Sequence, residues 1–162
     1  MRTTDGTVED SPSGGYLIRF AQTYPTTVED LWDAITDPER LSRWMAPYEG
    51  DFHLGGRWLA RYDDGTVFTE GTVTACDAPR TFTTTWHARD EHETTITVTV
   101  EPVEDGAALR LEHDRVGGRD YAPGWHTYLE LLELDLAGDL DGIAAFDWDT
   151  RYAELRRRYP VT

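Results

Sequence analysis

The chain has 162 residues, the size of one ordinary domain, and this length can bury a hydrophobic core without disulfides. Acidic residues outnumber basic residues by 31 to 15, which gives a formal net charge of −16. Such a charge repels phosphate backbones, so it argues against nucleic acid and anionic membranes as partners.

The single cysteine, Cys76, cannot form an internal disulfide, and this favours a reducing, cytoplasmic setting. The sequence contains no apolar run of the ~18 residues that a membrane helix needs, so we expect no membrane partner. Residues 1–14 carry acids early and have no apolar segment, so they are predicted to be a disordered lead-in and not a secretory signal. Every basic residue is an arginine. Two explanations of this acidic, lysine-free composition stay open: adaptation to high salt or a GC-rich genome.

A strand and two short helices are predicted at the start of the domain. Residues 16–24 have the aromatic and branched side chains of a strand and end before a proline. A capping pattern at Thr26 or Thr27 starts the first helix. Asp37 and Pro38 start the second helix, as a cap residue followed by a proline at the first helical position.

The central part of the chain alternates apolar and polar residues with the period of two that is typical of strands. The alternation is clearest where Ile96, Val98 and Val100 share one face. Because short turn sequences separate the segments, neighbouring strands are predicted to be antiparallel. The predicted strands are residues 57–62, 67–76, 81–89, 94–104 and 107–116.

A long helix is predicted after Gly124. Its apolar face recurs at i, i+4, i+7 and i+11, and this face consists of Trp125, Leu129, Leu132 and Leu136. The inner face of the sheet is the only predicted surface that is large enough to cover it. We therefore expect the sheet to pack against this helix.

The chain is predicted to form one domain over residues 15–138, without a second domain or an internal repeat. Residues 139–162 are rich in aromatic side chains, among them Trp148 and Tyr152, which is unusual for a mobile end. We therefore expect this C-terminal tail to pack back on the domain.

Five motifs occur in order along almost the whole chain: VEDLWDAITDPERLSRWMAP at 28–47, LGGRWLARYDDGT at 54–66, GTVTACDAPRTFTTTW at 71–86, LRLEHDRVG at 109–117 and GWHTYLELL at 124–132. Together they resemble the START-like (SRPBCC) superfamily, and within it the branch named after the activator of heat-shock-protein-90 ATPase. The resemblance implies an α+β helix-grip fold, START-like and birch-pollen-allergen-like, in which a curved antiparallel sheet wraps around a long C-terminal helix. Members of the superfamily bind lipids, hormones or polyketides and some are enzymes, so this fold does not fix a function.

The resemblance also implies a cavity between the sheet and the long helix that binds a small hydrophobic molecule. Large aromatic side chains are the candidates for its lining, although the same side chains would also suit a completely filled core. We expect no cofactor. The predicted cavity residues are Trp32, Trp44, Trp58, Tyr62, Trp86, Leu111, His113, Trp125, Tyr128, Leu129 and Leu132.

His113 is the polar residue that the alternation places on the inner face, together with Leu109 and Leu111. A buried imidazole there would either contact a ligand or be satisfied by a neighbouring backbone or hydroxyl group. The enzymatic alternative is a cyclase- or aromatase-like reaction with His113 as acid/base and Tyr62 or Tyr128 as hydrogen-bond donor. Because only one inward polar group is identified, binding without a defined reaction is the leading hypothesis.

Other sites and partners have weaker support. The histidines are scattered without a metal-ligand spacing such as HExxH, so no metal site is predicted, and no serine lies in a GxSxG elbow. A protein-interaction module, chaperone-linked or other, is a third hypothesis. The eukaryotic co-chaperones of the resembled branch carry an additional N-terminal domain, for which residues 1–15 are too short, so a chaperone partner is not expected. The sequence leaves a homodimer open.

Overall fold

The structure is a computed structural model that describes residues 3–159. Its elements follow the predicted order of strand, two short helices, meander and long helix. They are β1 (Thr7–Asp10), β2 (Tyr16–Tyr24), α1 (Val28–Thr36), α2 (Pro38–Trp44), β3 (Tyr48–Gly50), β4 (Arg57–Arg61), β5 (Val67–Asp77), β6 (Thr81–Ala88), β7 (Thr94–Val103), β8 (Gly106–Val116), α3 (Tyr121–Leu136), α4 (Leu140–Ala145) and α5 (Trp148–Arg156).

The strands of the described residues form a single eight-stranded sheet in the order β1-β2-β8-β7-β6-β5-β4-β3. Consecutive strands from β3 to β8 are antiparallel neighbours, as their short turns predict, and β2 returns to pair with β8. Ile96 lies opposite His113 and Val98 lies opposite Leu111, and all four side chains are buried. The α+β helix-grip fold that the resemblance implies is therefore confirmed.

The two short helices begin at capping residues, and a hydrogen bond joins one helix to the other. α1 begins at Val28 because the hydroxyl of Thr27 accepts a hydrogen bond from the backbone N–H of Asp30 at 3.1 Å. α2 begins with a proline, as predicted. At its end, the buried indole of Trp44 donates a hydrogen bond to the carbonyl of Ala34 in α1 at 2.9 Å, which ties the two helices together.

The long helix α3 begins at Tyr121, earlier than predicted, so Gly124 lies inside the helix and not before it. Pro123 is tolerated there because the first N–H groups of a helix have no partner within it. One side of α3 buries Trp125 and Leu129 against the sheet. The apolar stripe in the sequence predicts this face.

The tail covers a second side of α3. Its helix α5 packs against α3, where Arg151 donates two hydrogen bonds to Glu130 at 2.7 and 2.8 Å. Leu155 of α5 is fully buried, and Tyr159 is nearly so. Residues 160–162 of the predicted tail lie outside the described residues. In the described part of the chain, no helix has the length and apolarity to cross a membrane.

The disordered lead-in predicted for residues 1–14 is wrong over Thr7–Asp10, which forms the edge strand β1. Its backbone pairs with β2, from Thr7 opposite Arg19 to Asp10 opposite Tyr16. This pairing satisfies backbone groups that the outer edge of β2 would otherwise expose. The segment TVED buries almost nothing, so it lacks the apolar alternation by which a strand is recognised. Residues 1 and 2 lie outside the described residues.

Candidate ligand-binding site

A small apolar cavity lies between the inner face of the sheet and α3. Its volume is about 60 Å³, room for roughly two water molecules. The predicted cavity is therefore present but nearly filled by side chains. It is lined by Ile35, Leu41, Trp44, Met45, Tyr48, Phe52, Trp58, Phe82, Thr84, Trp86, Ile96, Val98, Leu109, Leu111, Trp125, Leu129 and Leu132.

A larger groove of about 320 Å³ opens beside this cavity. Its walls come from the segment around the start of β5, the end of β6, the first turns of α3 and the helix α5. Aromatic side chains dominate the lining, and charged groups stand among them. The groove is lined by Met45, Tyr62, Phe68, Trp86, Ala88, Arg89, Glu91, Asp120, Tyr121, Gly124, Trp125, Tyr128, Trp148 and Tyr152.

Three side chains border both spaces and so form the wall between them: Met45, Trp86 and Trp125. The two indole rings lie 5.6 Å apart between centroids. Each indole N–H has a partner: Trp86 donates to the hydroxyl of Tyr121 at 3.0 Å, and Trp125 donates to Nδ1 of His113 at 3.0 Å. The wall is therefore held in place by specific hydrogen bonds as well as by packing.

His113 is fully buried in β8, and both of its ring nitrogens are engaged. Nδ1 accepts from Trp125, so the proton of the neutral ring is on Nε2, which lies 2.7 Å from the hydroxyl of Thr94. Thr94 in turn donates to the carbonyl oxygen of Trp86 at 3.0 Å. Burial lowers the pKa of His113 to about 3, so the ring is neutral at physiological pH.

The predicted cavity residues are divided between the two spaces. Trp44, Trp58, Leu111, Leu129 and Leu132 line the small cavity, while Trp86 and Trp125 border both spaces. Tyr62 and Tyr128 line the groove. Trp32 and His113 line neither space: the Trp32 ring packs edge-on against Phe82, and His113 lies behind the wall.

Tyr62 differs from the alternation that grouped it with Trp58 and Ala60. Trp58 and Ala60 are buried, whereas Tyr62 is 52% exposed. The pairing of β4 with β5 shifts between Ala60 and Arg61, which breaks the period of two before Tyr62 is reached. The side chain packs instead on Phe68, with ring centroids 5.1 Å apart.

Sequence reasoning missed part of the groove, namely Phe68, Tyr121, Trp148 and Tyr152. The aromatic composition of the tail signalled that α5 packs somewhere, but no local pattern shows which surface it meets. In the structure, the ring of Trp148 stacks on that of Tyr152 with centroids 4.9 Å apart, and it packs on Tyr128 of α3 with centroids 5.4 Å apart.

His126 is a second fully buried histidine, on a different side of α3 from Trp125. Its Nδ1 lies 2.8 Å from the hydroxyl of Tyr159, and that hydroxyl accepts a hydrogen bond from the backbone N–H of Gly6 at 2.7 Å. This contact joins both ends of the described chain to α3. Among residues 3–159, no three His, Cys, Asp or Glu side chains are arranged to hold a metal ion.

Residues 25–136 match the family model described as Activator of Hsp90 ATPase homolog 1-like protein. The fold is similar to that of CalU16 from Micromonospora echinospora, whose solution structure aligns with a TM-score of 0.78 at 23% identity over 98% of this chain and 93% of that one. MLL2253 from Mesorhizobium loti aligns with a TM-score of 0.68 at 25% identity, over 75% of this chain and 96% of that one. The Aha1 dimer from Colwellia psychrerythraea aligns with a TM-score of 0.63 at 19% identity, over 74% of this chain and 95% of that one. No curated protein sequence matches the chain significantly.

The family match runs from the residue after β2 to the last residue of α3, and so covers most of the described domain. It includes the meander, the small cavity and the wall formed by Trp86 and Trp125. The solved structures agree with it in fold. The chain therefore belongs to the Activator of Hsp90 ATPase homolog 1-like family.

Proposed function

We propose that the protein binds a small hydrophobic molecule in the groove beside α3, with the small cavity as an extension behind Trp86 and Trp125. The observation that carries this proposal is the groove itself, about 320 Å³ of space lined mainly by aromatic rings. Its volume lies at the lower end of the ~300–1,000 Å³ that is usual for small-molecule sites. The 60 Å³ cavity alone would be too small for such a ligand.

The dividing wall supports a ligand that reaches inward. Each indole of the wall is anchored by one hydrogen bond from its ring N–H, to Tyr121 for Trp86 and to His113 for Trp125. A net contribution of about 1 kcal/mol for each bond is small enough for a ligand to offset when its apolar surface becomes buried. We propose that movement of these rings, together with Met45, joins the groove to the cavity.

Binding has better support than the cyclase-like alternative with His113 as acid/base. His113 borders neither space, both of its ring nitrogens have partners, and burial keeps the ring neutral. A proton carrier needs a pKa near the working pH and a path to the substrate. These contacts fit a structural role, in which His113 orients Trp125.

A protein-interaction module also has less support. Contiguous apolar patches mark such surfaces. Among the described residues, the large exposed hydrophobic side chains lie in separate segments: Leu54 between β3 and β4, Tyr62 between β4 and β5, Val103 at the end of β7 and Leu140 at the start of α4.

The proposal is tested by filling the groove from the helix. Gly124 lines the groove, and a Cβ atom added there would meet only Tyr152, at 4.0 Å. Gly124→Leu should therefore fold, with a gain of up to about 1 kcal/mol in helix propensity, and should occupy the groove. We expect wild-type protein to bind N-phenyl-1-naphthylamine, an uncharged fluorophore, and Gly124→Leu to lose at least about tenfold in affinity.

The matched control is Gly118→Leu, because Gly118 has no neighbour within 4 Å of an added Cβ and lies outside the groove. Its affinity for the fluorophore should equal that of the wild type. Circular dichroism and the midpoint of urea unfolding establish that both variants are folded. Wild-type protein that fails to bind the probe, or a Gly124→Leu variant that binds it equally well, would contradict the proposal.

A further inference from the structure

The aromatic rings of the groove form a continuous series of contacts. Phe68 lies 5.1 Å from Tyr62 and 5.9 Å from Trp86. The series continues along α3, where Trp125 lies 5.6 Å from Trp86 and 6.4 Å from Tyr128. Beyond Tyr128 it reaches the stacked pair of α5, Trp148 and Tyr152. Aromatic faces carry a negative partial charge, so a space bounded by several rings attracts a cation that is weakly hydrated.

Carboxylates stand at the rim of the same groove. The hydroxyl of Tyr121 donates a hydrogen bond to Glu91 at 2.8 Å while it accepts one from Trp86. This arrangement uses the only proton of the phenol to hold the Glu91 carboxylate beside the rings. Asp120 also lines the groove, and its carboxylate lies 3.4 Å from Arg156, with both side chains about half exposed.

Nearby acids also act on the tyrosines of the groove, as a smaller effect than burial. Burial is the main cause that raises the pKa of Tyr128 to about 12, and smaller contributions come from Tyr62 and then from the carboxylate of Asp63. Burial and then the charge of Asp120 raise the pKa of Tyr152, while the charge of Arg156 partly opposes them. Only the part of each shift that comes from a carboxylate, and not the part from burial, favours a positive charge in the groove. The whole chain, with a net charge of −16, adds to this effect at long range.

Arg89 is the one positive side chain among the groove-lining residues of the described chain. It also acts on the loop before β5: hydrogen bonds from Thr66, and to a smaller extent the charge of Arg89, lower the pKa of the Asp64 carboxyl. Arg89 therefore also interacts with an acid outside the groove.

We propose that the ligand of this groove is a lipophilic cation, an aromatic or aliphatic amine or quaternary ammonium whose charge lies near Glu91 and whose apolar part lies on the rings toward Trp86 and Trp125. This inference rests on the proposed function, because it concerns the same groove. It goes further by assigning the charge of the ligand.

The test compares three probes that share a phenyl ring: phenyltrimethylammonium, its uncharged isostere tert-butylbenzene, and benzenesulfonate. Affinities are measured at one fixed ionic strength from the change in tryptophan emission, to which Trp86, Trp125 and Trp148 of the groove contribute. We expect the ammonium to bind about tenfold more tightly than the isostere, which corresponds to the upper range of a cation–aromatic contact. The sulfonate should bind most weakly.

Two variants move the ammonium affinity in opposite directions. Glu91→Gln should lower it about two- to fivefold, as expected for the loss of a partly exposed charge, and should lower the affinity for tert-butylbenzene by a clearly smaller factor. Arg89→Gln should raise it by a similar factor, because a competing cation is removed. Glu104→Gln removes the same charge as Glu91→Gln at the β7–β8 turn, the opposite end of the sheet, and should change neither affinity.

The outcomes separate this inference from the proposed function. Equal affinities for the ammonium and the isostere, or tighter binding of the sulfonate, would overturn the cation inference and leave hydrophobic binding in place. An ammonium preference that neither Glu91→Gln nor Arg89→Gln alters would also overturn it, since the preference would then not come from the groove. Failure of all three probes, together with failure of the uncharged fluorophore, would overturn both.

Discussion

The network around His113 shows how a single buried residue positions the wall of the ligand site. Trp125 donates to Nδ1, and Nε2 faces the hydroxyl of Thr94, which is itself bonded to the backbone of Trp86. One imidazole therefore connects both tryptophans of the wall. A neutral ring is essential to this arrangement, because a protonated ring would place a hydrogen on Nδ1 and lose its acceptor for the indole.

Stability should depend on pH through His113. Its pKa is lowered to about 3 in the folded protein, whereas the unfolded chain has an ordinary histidine pKa near 6.5. Between these values the unfolded state binds more protons, so this contribution is fully present above about pH 6.5 and is lost as the pH falls toward 3.

Urea unfolding from pH 7 to pH 4 is the measurement that follows this effect. His113→Gln keeps an acceptor for Trp125 and a donor for Thr94 but cannot titrate. It should be less stable than the wild type at pH 7 and should lose less stability on acidification. The assignment fails if the two pH profiles have the same slope.

At the scale of elements, Arg40 of α2 connects three helices. Its guanidinium lies 2.7 Å from Asp30 and 3.2 Å from Asp33 of α1, and 2.9 Å from Asp135 of α3. The side chain of Asp135 is only 1% exposed, and Arg40 is the cation that lies beside this buried carboxylate. A buried carboxylate without a compensating cation is strongly destabilising.

Removal of the Arg40 charge should therefore destabilise the packing of α3. We expect Arg40→Met to lower the free energy of unfolding by about 3 kcal/mol. Arg43→Met is the matched control, because Arg43 is exposed on the same helix and its substitution should change stability by less than about 0.5 kcal/mol. Chemical denaturation measures both variants. Equal stabilities for the two would show that Asp135 does not need Arg40.

At the scale of the whole molecule, the excess of acidic residues opposes folding through self-repulsion. The net charge is −16, and most of the ion pairs in the described residues involve at least one side chain that is half exposed, as for Arg19 with Glu112. Exposed pairs contribute ~0–1 kcal/mol each, and salt screens them as it screens the repulsion. Because acids outnumber bases two to one, repulsion should be the larger of the two effects.

Thermal unfolding should therefore shift upward when KCl is raised from 0.1 M to the molar range at pH 7. The same titration near pH 4.5, the isoelectric point of the sequence, is the control, and there the shift should be much smaller. The halophilic explanation of the lysine-free, acidic composition requires this gain. A Tm that is flat or falls with KCl at pH 7 would favour the explanation from genome composition.

Much of the fold could be read from local patterns. The alternation in β7 and the apolar stripe of α3 indicate which side chains are buried, and the capping residues of α1 indicate where that helix begins. These signals involve residues only a few positions apart, so the sequence shows them directly. β1 left no such signal, because a polar edge strand is stabilised by backbone pairing alone. The inward position of His113 could also be predicted, since it follows from the period of two.

The sequence by itself determined that a sheet packs against the apolar face of a long helix, and that His113 lies on the inner face of that sheet. Only the tertiary structure decided how the interior is divided. Trp86 and Trp125 come from a strand and a helix that are distant in sequence, and Trp148 and Tyr152 reach the groove only because α5 packs against α3. Local periodicity gives the direction of a side chain but not its partner. Whether large side chains fill a space or border one depends on contacts between elements. Because of those contacts, the groove is larger than the cavity in the core.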